Sequence, residues 1–300
     1  MYHRVLPDDL IKKDLDIGMA VSSSNFEKQI KVLKSKYKIV SMNEFNENLK
    51  KKKKQFMIAI TFDDGYNDNL RYALPILEKF EVPATIYITT RFLNDNVWMW
   101  WYELKDEIQN KSTLNFEFEN LKYNFILKSF KQKNLAFKNL RKLFLDLTSD
   151  RQIKLLEIIT GNKKRKNYSE ICLNREELKN LDMHPLITIG SHSHNHLNLS
   201  ILENENLIYE INKSTEILES LLNHKIKHFS YPYGQNYQVS KREYNTIADL
   251  NFDTAVTTQV HPIRDYSPFL LPRIYVGNNT CDRTLINHLS GFYNLVNKLF

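Results

Sequence analysis

The sequence predicts an α/β fold that has parallel strands and a helical insertion. Apolar runs of strand length alternate with segments of helical apolar spacing, and one continuous apolar run is typical of a strand buried on both faces. The middle of the chain departs from this alternation and is rich in Lys and Asn. A length of 300 residues suits one α/β barrel or one domain with an insertion.

The first third of the chain supplies most of the alternation. The predicted elements are a helix over residues 26–37, a strand over 39–41, a helix over 42–49, a strand over 56–60, a helix over 69–80 and a strand over 84–88. A strand, helix and strand in this order imply a right-handed parallel crossover. The strand over 56–60 therefore delivers the acidic residues that follow it to the carboxyl edge of a parallel sheet.

The middle segment carries amphipathic patterns without strand-like runs between them. Residues 135–147 and 151–159 are two such patterns. We predict that a helical insertion occupies about residues 103–180 and that residues 1–300 form one catalytic domain around it.

The alternation resumes after the insertion. A strand is predicted over residues 186–189, a long amphipathic helix over 203–222, and another strand that ends at 227–231. Clusters of polar residues follow these strands as well. Barrels and open α/β sheets both place their sites at the carboxyl ends of their strands.

The net charge and the cysteine content limit the kinds of partner and metal site that the sequence predicts. The net charge of +7 comes from scattered lysines and one run at residues 50–54, which has no interleaved aromatic residues and is interpreted as a solvated turn. We therefore predict no nucleic-acid partner, while weak peripheral attraction to membrane surfaces or anionic glycans stays open. Cys172 and Cys281 have no metal-binding spacing, so reduced thiols are expected.

The chain contains no apolar run long enough to cross a bilayer, and its first residues lack an apolar signal stretch. These features predict a cytoplasmic protein without a transmembrane segment. The sequence makes no prediction about the oligomeric state.

Two segments carry the chemistry. Residues 61–66 (TFDDGY) contain adjacent carboxylates, and residues 190–196 (GSHSHNH) contain a His-x-x-x-His pair. Nitrogen and oxygen ligands with an open water position are what a hydrolytic divalent cation needs, and a second carboxylate can take a proton from that water. The spacing of His192 and His196 predicts both imidazoles on one face of a helical turn. Each motif alone is a weak signal, but together they predict a one-metal hydrolase.

The chain resembles the polysaccharide deacetylase family, also called the NodB-homology family or carbohydrate esterase family four. Residues 61–66, residues 190–193 with His196, and residues 229–234 (FSYPYG) carry the resemblance. Further support comes from residues 2–5 (YHRV), the Trp100-Trp101 pair and residues 271–274 (LPRI). The resemblance implies a distorted (β/α) barrel of about seven repeats. It also implies a divalent metal, with Zn²⁺ as first choice and Co²⁺ or Ni²⁺ as alternatives.

The resemblance also implies roles for individual residues. Asp64, His192 and His196 would hold the metal, and Asp63 would be the general base. The backbone N–H of Tyr233, held rigidly after Pro232, would donate to the oxyanion. Trp100, or its neighbour Trp101, would line the substrate groove, because sugar rings stack on aromatic faces.

The sequence departs from the best-known members of the family at two places. Ser230 stands where they carry Arg, and no His-Asp pair occurs near the carboxyl terminus. His3 is our first choice for the missing general acid, because a barrel brings its first and last strands side by side; His261 is the rival. Arg273 is predicted to replace the missing Arg and to pair with Asp63.

The function that the resemblance implies is metal-dependent hydrolysis of the N-acetyl group of an N-acetylhexosamine in a polysaccharide or its precursor. An acetylated glycan or sugar precursor is therefore the expected substrate. Two alternatives stay open: an O-acetyl glycan esterase, and a catalytically silent glycan-binding protein of the same fold. His194, between the proposed ligands, is expected to point away from the metal.

Overall fold

The computed structural model describes residues 1–11, 19–51, 56–162, 164–261 and 267–290. The chain divides into two compact units. The larger unit comprises Met1–Ile11, Met19–Asn94 and the chain from Ile171 onwards, and the smaller one contains Asp95–Glu170. The prediction that the whole chain forms one domain stays a prediction. The lysines at 52–54, predicted to lie in a turn, fall outside the described residues.

The described elements alternate as the sequence predicts. The strands are β1 Arg4–Leu6, β2 Ala20–Ser22, β3 Lys38–Ile39, β4 Met57–Ile58, β5 Ile60–Phe62, β6 Ala84–Ile88, β7 Thr113–Phe118, β8 Leu121–Ile126, β9 Ile187–Ser191, β10 His228–Ser230 and β11 Thr254–Val256. The helices are α1 Ser23–Lys36, α2 Met42–Lys50, α3 Leu74–Lys79, α4 Trp100–Asn110, α5 Phe130–Leu145, α6 Ser149–Thr160, α7 Arg175–Asp182, α8 Asn204–Leu222, α9 Lys241–Asp249 and α10 Asp282–Leu289. A π-helical turn, Asn69–Ala73, precedes α3.

The larger unit is built on a parallel sheet in the order β11-β10-β9-β6-β5. Its two edges are extended by single bridges, from Phe62 to Tyr2 and from Val256 to Leu271. The two extensions then meet, because the N–H of Val276 donates to the carbonyl of Met1 at 3.0 Å. The sheet therefore curls into the distorted (β/α) barrel that the sequence and the resemblance predict.

The central strands are apolar because both of their faces are covered. All five residues of β6 are buried, with Ile86 and Ile88 in the main core and Tyr87 in a second cluster with Val256 and Leu271. The predicted strand over 56–60 is interrupted at Ala59, and its second part continues as β5 to Phe62. The two acidic residues that follow are therefore placed directly at the end of a core strand.

The smaller unit has its own apolar core. Helices α4, α5 and α6 contribute buried residues such as Leu104, Phe144 and Leu155. It also contains an antiparallel hairpin, β7 and β8, which the sequence analysis did not predict. The hairpin turns at Glu119 and Asn120, both with positive φ, as a type I′ two-residue turn requires. Its alternating pattern was hidden by the many Lys and Asn residues of the segment.

None of the described helices is both long and apolar enough to span a bilayer. Of the two cysteines, Cys172 is buried and Cys281 is exposed, and neither is in a disulfide.

Candidate active site

The candidate site lies where three strands of the barrel end. Asp63 and Asp64 follow β5, residues 192–196 follow β9, and residues 231–234 follow β10. Parallel strands that neighbour one another bring their carboxyl ends to the same edge, which is where barrels place their sites.

Three buried side chains meet at this edge. Oδ1 of Asp64 lies 3.2 Å from Nε2 of His196 and 3.5 Å from Nε2 of His192. One potential ligand atom from each residue lies within 4.8 Å of the others. The two imidazoles are 5.0 Å apart between ring centroids and steeply inclined to one another.

The chemistry of these donors fits a divalent cation. Oδ1 of Asp64 is buried and makes no hydrogen bond within the described residues. Nδ1 of His192 lies 2.7 Å from the backbone oxygen of Ser230, so it carries the proton and leaves the Nε2 lone pair directed at Asp64. Two imidazole nitrogens and one carboxylate oxygen are an open ligand set of the type found in catalytic zinc sites.

The histidine segment is not the helical turn that the spacing predicted. Ser193 and His196 both have left-handed backbone conformations, with φ of 62° and 57°. Oγ of Ser193 accepts a hydrogen bond from the N–H of His196 at 3.2 Å. A tight loop, rather than a helix face, therefore brings the two imidazoles together.

Asp63 is held by an arginine from the far end of the chain. Nη1 and Nη2 of Arg273 donate to its two carboxylate oxygens, both at 2.7 Å. Burial raises the pKa of Asp63, but the Arg273 guanidinium together with the nearby imidazoles of His192 and His3 outweighs it and holds the pKa at about 2. Arg273 also donates to Oγ of Ser230 at 2.8 Å. Ser230 thus supplies a hydrogen-bond acceptor to Arg273. It does so at the position where the sequence analysis expects an Arg in the best-known members of the family that the chain resembles.

His3 lies beside these carboxylates. Tyr2 pairs with Phe62, which places His3 opposite the end of β5. Burial lowers the pKa of His3, although the carboxylates of Asp64 and Asp63 act in the opposite direction. Nδ1 of His3 is buried and has no hydrogen-bond partner among the described residues. The rival, His261, is exposed, and the proline that follows it is outside the described residues.

Tyr233 forms the third side of the site. Its φ is 63°, its ring packs against His196 at 4.7 Å, and its hydroxyl donates to the backbone oxygen of His196 at 3.3 Å. Pro232 before it is buried, and a Cβ on Gly234 after it would lie 2.9 Å from the backbone nitrogen of Thr258. The turn is therefore fixed on both sides of Tyr233.

The structure corrects the placement of Trp100. Its side chain is 3% exposed, and its ring stacks on Phe144 at 4.5 Å in the core of the smaller unit. Trp101 is buried as well and packs edge-on against Trp100. Protein rings, rather than a sugar, therefore cover these faces. His194 bonds through Nδ1 to the hydroxyl of Thr90, in keeping with its expected place outside the ligand set.

One residue at this edge was not predicted. Glu210, on α8, is buried and bonds to the histidine loop through Asn195. A glutamate on the same face as the apolar residues Leu207 and Ile211 was the available signal, because a charged side chain on a buried helix face is expected to have a specific partner.

A closed parallel barrel with a polar cluster at its strand ends is the arrangement of the (β/α)-barrel enzymes. The pattern of the polysaccharide deacetylase family matches residues 50–253, more than half of the chain. The chain therefore belongs to the polysaccharide deacetylase family, a family of hydrolases, as the resemblance predicted. No curated protein sequence matches the chain.

Solved structures of low sequence identity share the fold. A deacetylase, PplD, from Streptococcus pyogenes, solved with acetate, is 17% identical, with a TM-score of 0.62 and 96% of both chains covered. A de-N-acetylase from Aggregatibacter actinomycetemcomitans is 14% identical, with a TM-score of 0.61 and coverage of 96% of this chain and 97% of that one. IcaB from Ammonifex degensii is 15% identical, with a TM-score of 0.60 and coverage of 96% and 94%.

Proposed function

We propose that this protein is a metal-dependent deacetylase that hydrolyses the N-acetyl group of an N-acetylhexosamine in a polysaccharide or its precursor. The observation that carries the proposal is the buried cluster of Asp64, His192 and His196 directly beside Asp63. Metal ligands and an ionised carboxylate at one strand edge are the parts that hydrolysis of an unactivated amide needs.

Asp64, His192 and His196 are the residues that would hold the metal. Zn²⁺ is our first choice, because imidazole and carboxylate ligands suit it, and Co²⁺ or Ni²⁺ can bind the same donors. A divalent cation there would polarise a carbonyl oxygen and lower the pKa of water from about 15.7 towards neutrality.

Asp63 is proposed as the general base. Arg273 holds the pKa of its carboxyl at about 2, so Asp63 is ionised at neutral pH and can only accept hydrogen bonds. The bidentate pair also fixes the direction of its oxygens. A carboxylate of low pKa is a weak base. It is therefore suited to take a proton from a water molecule whose pKa the divalent cation would already have lowered.

Two further groups complete the proposed chemistry. The backbone N–H of Tyr233 is assigned to the oxyanion, since its turn is rigidly held and its ring packs against His196. His3 is assigned as the general acid, because an amide nitrogen must be protonated before it leaves. Its position beside Asp63 and Asp64 supports the assignment over the exposed His261.

Two arguments support the substrate class: the family to which the chain belongs, and the need of amide hydrolysis for a general acid. The family is one of polysaccharide deacetylases, and one structure of similar fold is described as a de-N-acetylase. An ester would leave as an alkoxide and would need the acid less. A histidine beside the two carboxylates therefore favours an N-acetyl over an O-acetyl substrate.

The test combines elemental analysis with acetate release from N-acetylated oligosaccharides, before and after chelation and addition of Zn²⁺, Co²⁺ or Ni²⁺. We expect about one metal per chain and chelator-sensitive acetate release. Asp64→Ala should lose the metal, whereas Asp63→Asn should keep it and lose nearly all turnover. Asp9→Asn, at an exposed position, is the matched control and should change neither.

The outcomes separate the alternatives. Acetate release from O-acetylated glycans alone would indicate an esterase. Bound metal without acetate release from either class would indicate a binding protein. Equal metal loss in Asp64→Ala and Asp63→Asn would overturn the division of roles between the two carboxylates.

A further inference from the structure

Helix α8 holds the histidine loop through two buried polar side chains that are one helical turn apart. Glu210 and Ser214 lie four residues apart on α8 and therefore face the same side. Both are buried, and the apolar residues Leu207, Ile211 and Leu218 fix the helix in the core beside them. The face of α8 towards the loop thus carries two buried polar side chains among apolar ones.

Glu210 makes three hydrogen bonds to the loop. Oε2 accepts from the N–H of Asn195 at 2.7 Å, and Oε1 accepts from Nδ2 of the same residue at 2.6 Å. Its backbone oxygen accepts from the N–H of His194 at 3.0 Å. These donors lie between His192 and His196, so Glu210 holds the middle of the loop while the two imidazoles point elsewhere.

The second contact holds the beginning of the loop. Oγ of Ser191, the last residue of β9, bonds to Oγ of Ser214 at 2.8 Å, and both atoms are buried. The loop is thereby attached to one helix before His192 and again before His196.

The loop needs such support because its backbone is strained. Ser193 and His196 both occupy the left-handed region, which costs a non-glycine residue of the order of 1 kcal/mol or more. Such conformations persist only where surrounding contacts determine them. Without an acceptor for the two N–H groups of Asn195, other loop conformations that separate the imidazoles become accessible.

We propose that Glu210 is a positioning residue that sets the metal affinity of the Asp64, His192 and His196 site by fixing the conformation of the loop. The inference rests on the proposed function, since it requires that these three residues bind a metal. Groups that orient metal ligands typically change metal affinity about 10- to 100-fold when they are removed.

The test measures the Zn²⁺ dissociation constant of the metal-free full chain by competition with a chromophoric chelator, together with the melting temperature of the metal-free form. Glu210→Gln keeps the shape but places an N–H₂ group against an N–H donor, and we expect Zn²⁺ affinity to fall at least about 10-fold. Glu216→Gln, an exposed glutamate on the same helix, is the matched control and should leave the affinity unchanged.

The variant Leu218→Ala distinguishes a positioning role of Glu210 from a purely structural one. Leu218 is fully buried on α8, so this variant should melt at lower temperature but bind Zn²⁺ as the unmodified protein does. If Glu210→Gln behaves in the same way, with lower melting temperature and unchanged affinity, the inference is wrong.

Asn195→Ala keeps the test decisive should Glu210→Gln fail to fold. It removes the side-chain donor at a half-buried position while the backbone N–H of residue 195 can still bond to Glu210, and we expect weaker Zn²⁺ binding. Unchanged affinity in Asn195→Ala would count against the inference. Absence of Zn²⁺ binding in the unmodified protein would instead overturn the proposed function.

Discussion

The two loops that supply the proposed metal ligands are held in place by different means. The turn that carries Asp63 and Asp64 is fixed by an ion pair with Arg273, which is 210 positions away from Asp63 in the sequence. The loop that carries His192 and His196 is held by hydrogen bonds from α8, the next α-helix in the chain, and from residues 89–91 after β6. The ion pair of the first loop spans 210 positions of the sequence, whereas the two α8 contacts of the second loop span 15 and 23.

The two loops therefore depend on different parts of the barrel for their conformation. Asp63 gains its cationic partner only when the carboxyl-terminal segment has closed the barrel next to Tyr2, because Arg273 lies in that segment. The histidine loop is held by α8 and also by the residues after β6, since the N–H groups of Thr90 and Arg91 donate to the backbone oxygens of Ser193 and His194. Ser230 links the two, since its backbone oxygen bonds to His192 and its hydroxyl bonds to Arg273.

The largest effect is expected from breaking the long-range anchor. Arg273→Ala leaves the buried carboxylate of Asp63 without its cationic partner, and such a loss destabilises a protein by about 3–5 kcal/mol. Chemical denaturation of the metal-free protein would measure the free energy of unfolding.

Arg71→Ala is the control for that change. Arg71 pairs with Glu177 at 3.2 Å, but its side chain is 54% exposed, so at most about 1 kcal/mol should be lost. Equal losses in the two variants would show that the Asp63 pair is no more important than a surface ion pair.

A smaller effect on the free energy of unfolding is expected from protonation of a histidine on β10, the strand that carries Ser230. His228, on β10 two residues before Ser230, donates through Nε2 to Oδ1 of Asn43 and accepts at Nδ1 from the hydroxyl of Thr254, as a neutral imidazole does. Burial lowers its pKa to about 4. The unfolded chain, with the ordinary pKa near 6.5, binds more protons below that pH. The stability contributed by His228 is therefore present above about pH 6.5 and is lost as the pH falls towards 4.

The measurement is the free energy of unfolding at pH 7 and pH 5. Its decrease should be about 2 kcal/mol smaller in His228→Gln than in the unmodified protein, because that variant has no group to protonate at this position. The same decrease in both proteins would mean that His228 is not responsible for this part of the pH dependence.

The smallest effect is expected from a contact within the histidine loop. Ser193→Ala removes the hydroxyl that accepts from the N–H of His196, at a cost of about 1 kcal/mol in unfolding free energy. Ser35→Ala, at an exposed position of α1, should change stability by less than about 0.5 kcal/mol. If the two substitutions cost the same, the Ser193 hydrogen bond contributes little to the loop, and its contacts with other elements hold it.

Much of the fold could be predicted from the sequence because its signals are local. The apolar run before Asp63 and the helical spacing over 203–222 each reflect burial of one short segment, and the structure has β5 and α8 at these places. The hairpin of the smaller unit was missed because its alternation is weak among polar residues. Trp100 was assigned to a groove because a sequence does not show which aromatic faces are already covered.

The candidate site divides in the same way. Residue type and order alone indicated two motifs able to bind a divalent cation, because few side chains do so and both motifs follow strands. The division into proposed ligands, Asp64, His192 and His196, and a proposed base, Asp63, came from the family resemblance. The pairing of Arg273 with Asp63 was expected only from the family resemblance and from the absence of Arg at position 230. The left-handed residues of the histidine loop contradicted the helical spacing, since a spacing of four residues specifies a shared face only if the backbone is helical.

The sequence by itself determined the alternating strands and helices, the membership of a hydrolase family and the residues able to bind a metal, because each depends on the chemistry of a short segment. Only the tertiary structure decided that Arg273 reaches Asp63, that Glu210 holds the loop between the two histidines, and that Trp100 is a core residue. These contacts join residues that are distant in the sequence or on different elements. Their geometry exists only once those elements have packed together and burial has removed the water that would otherwise satisfy the same groups.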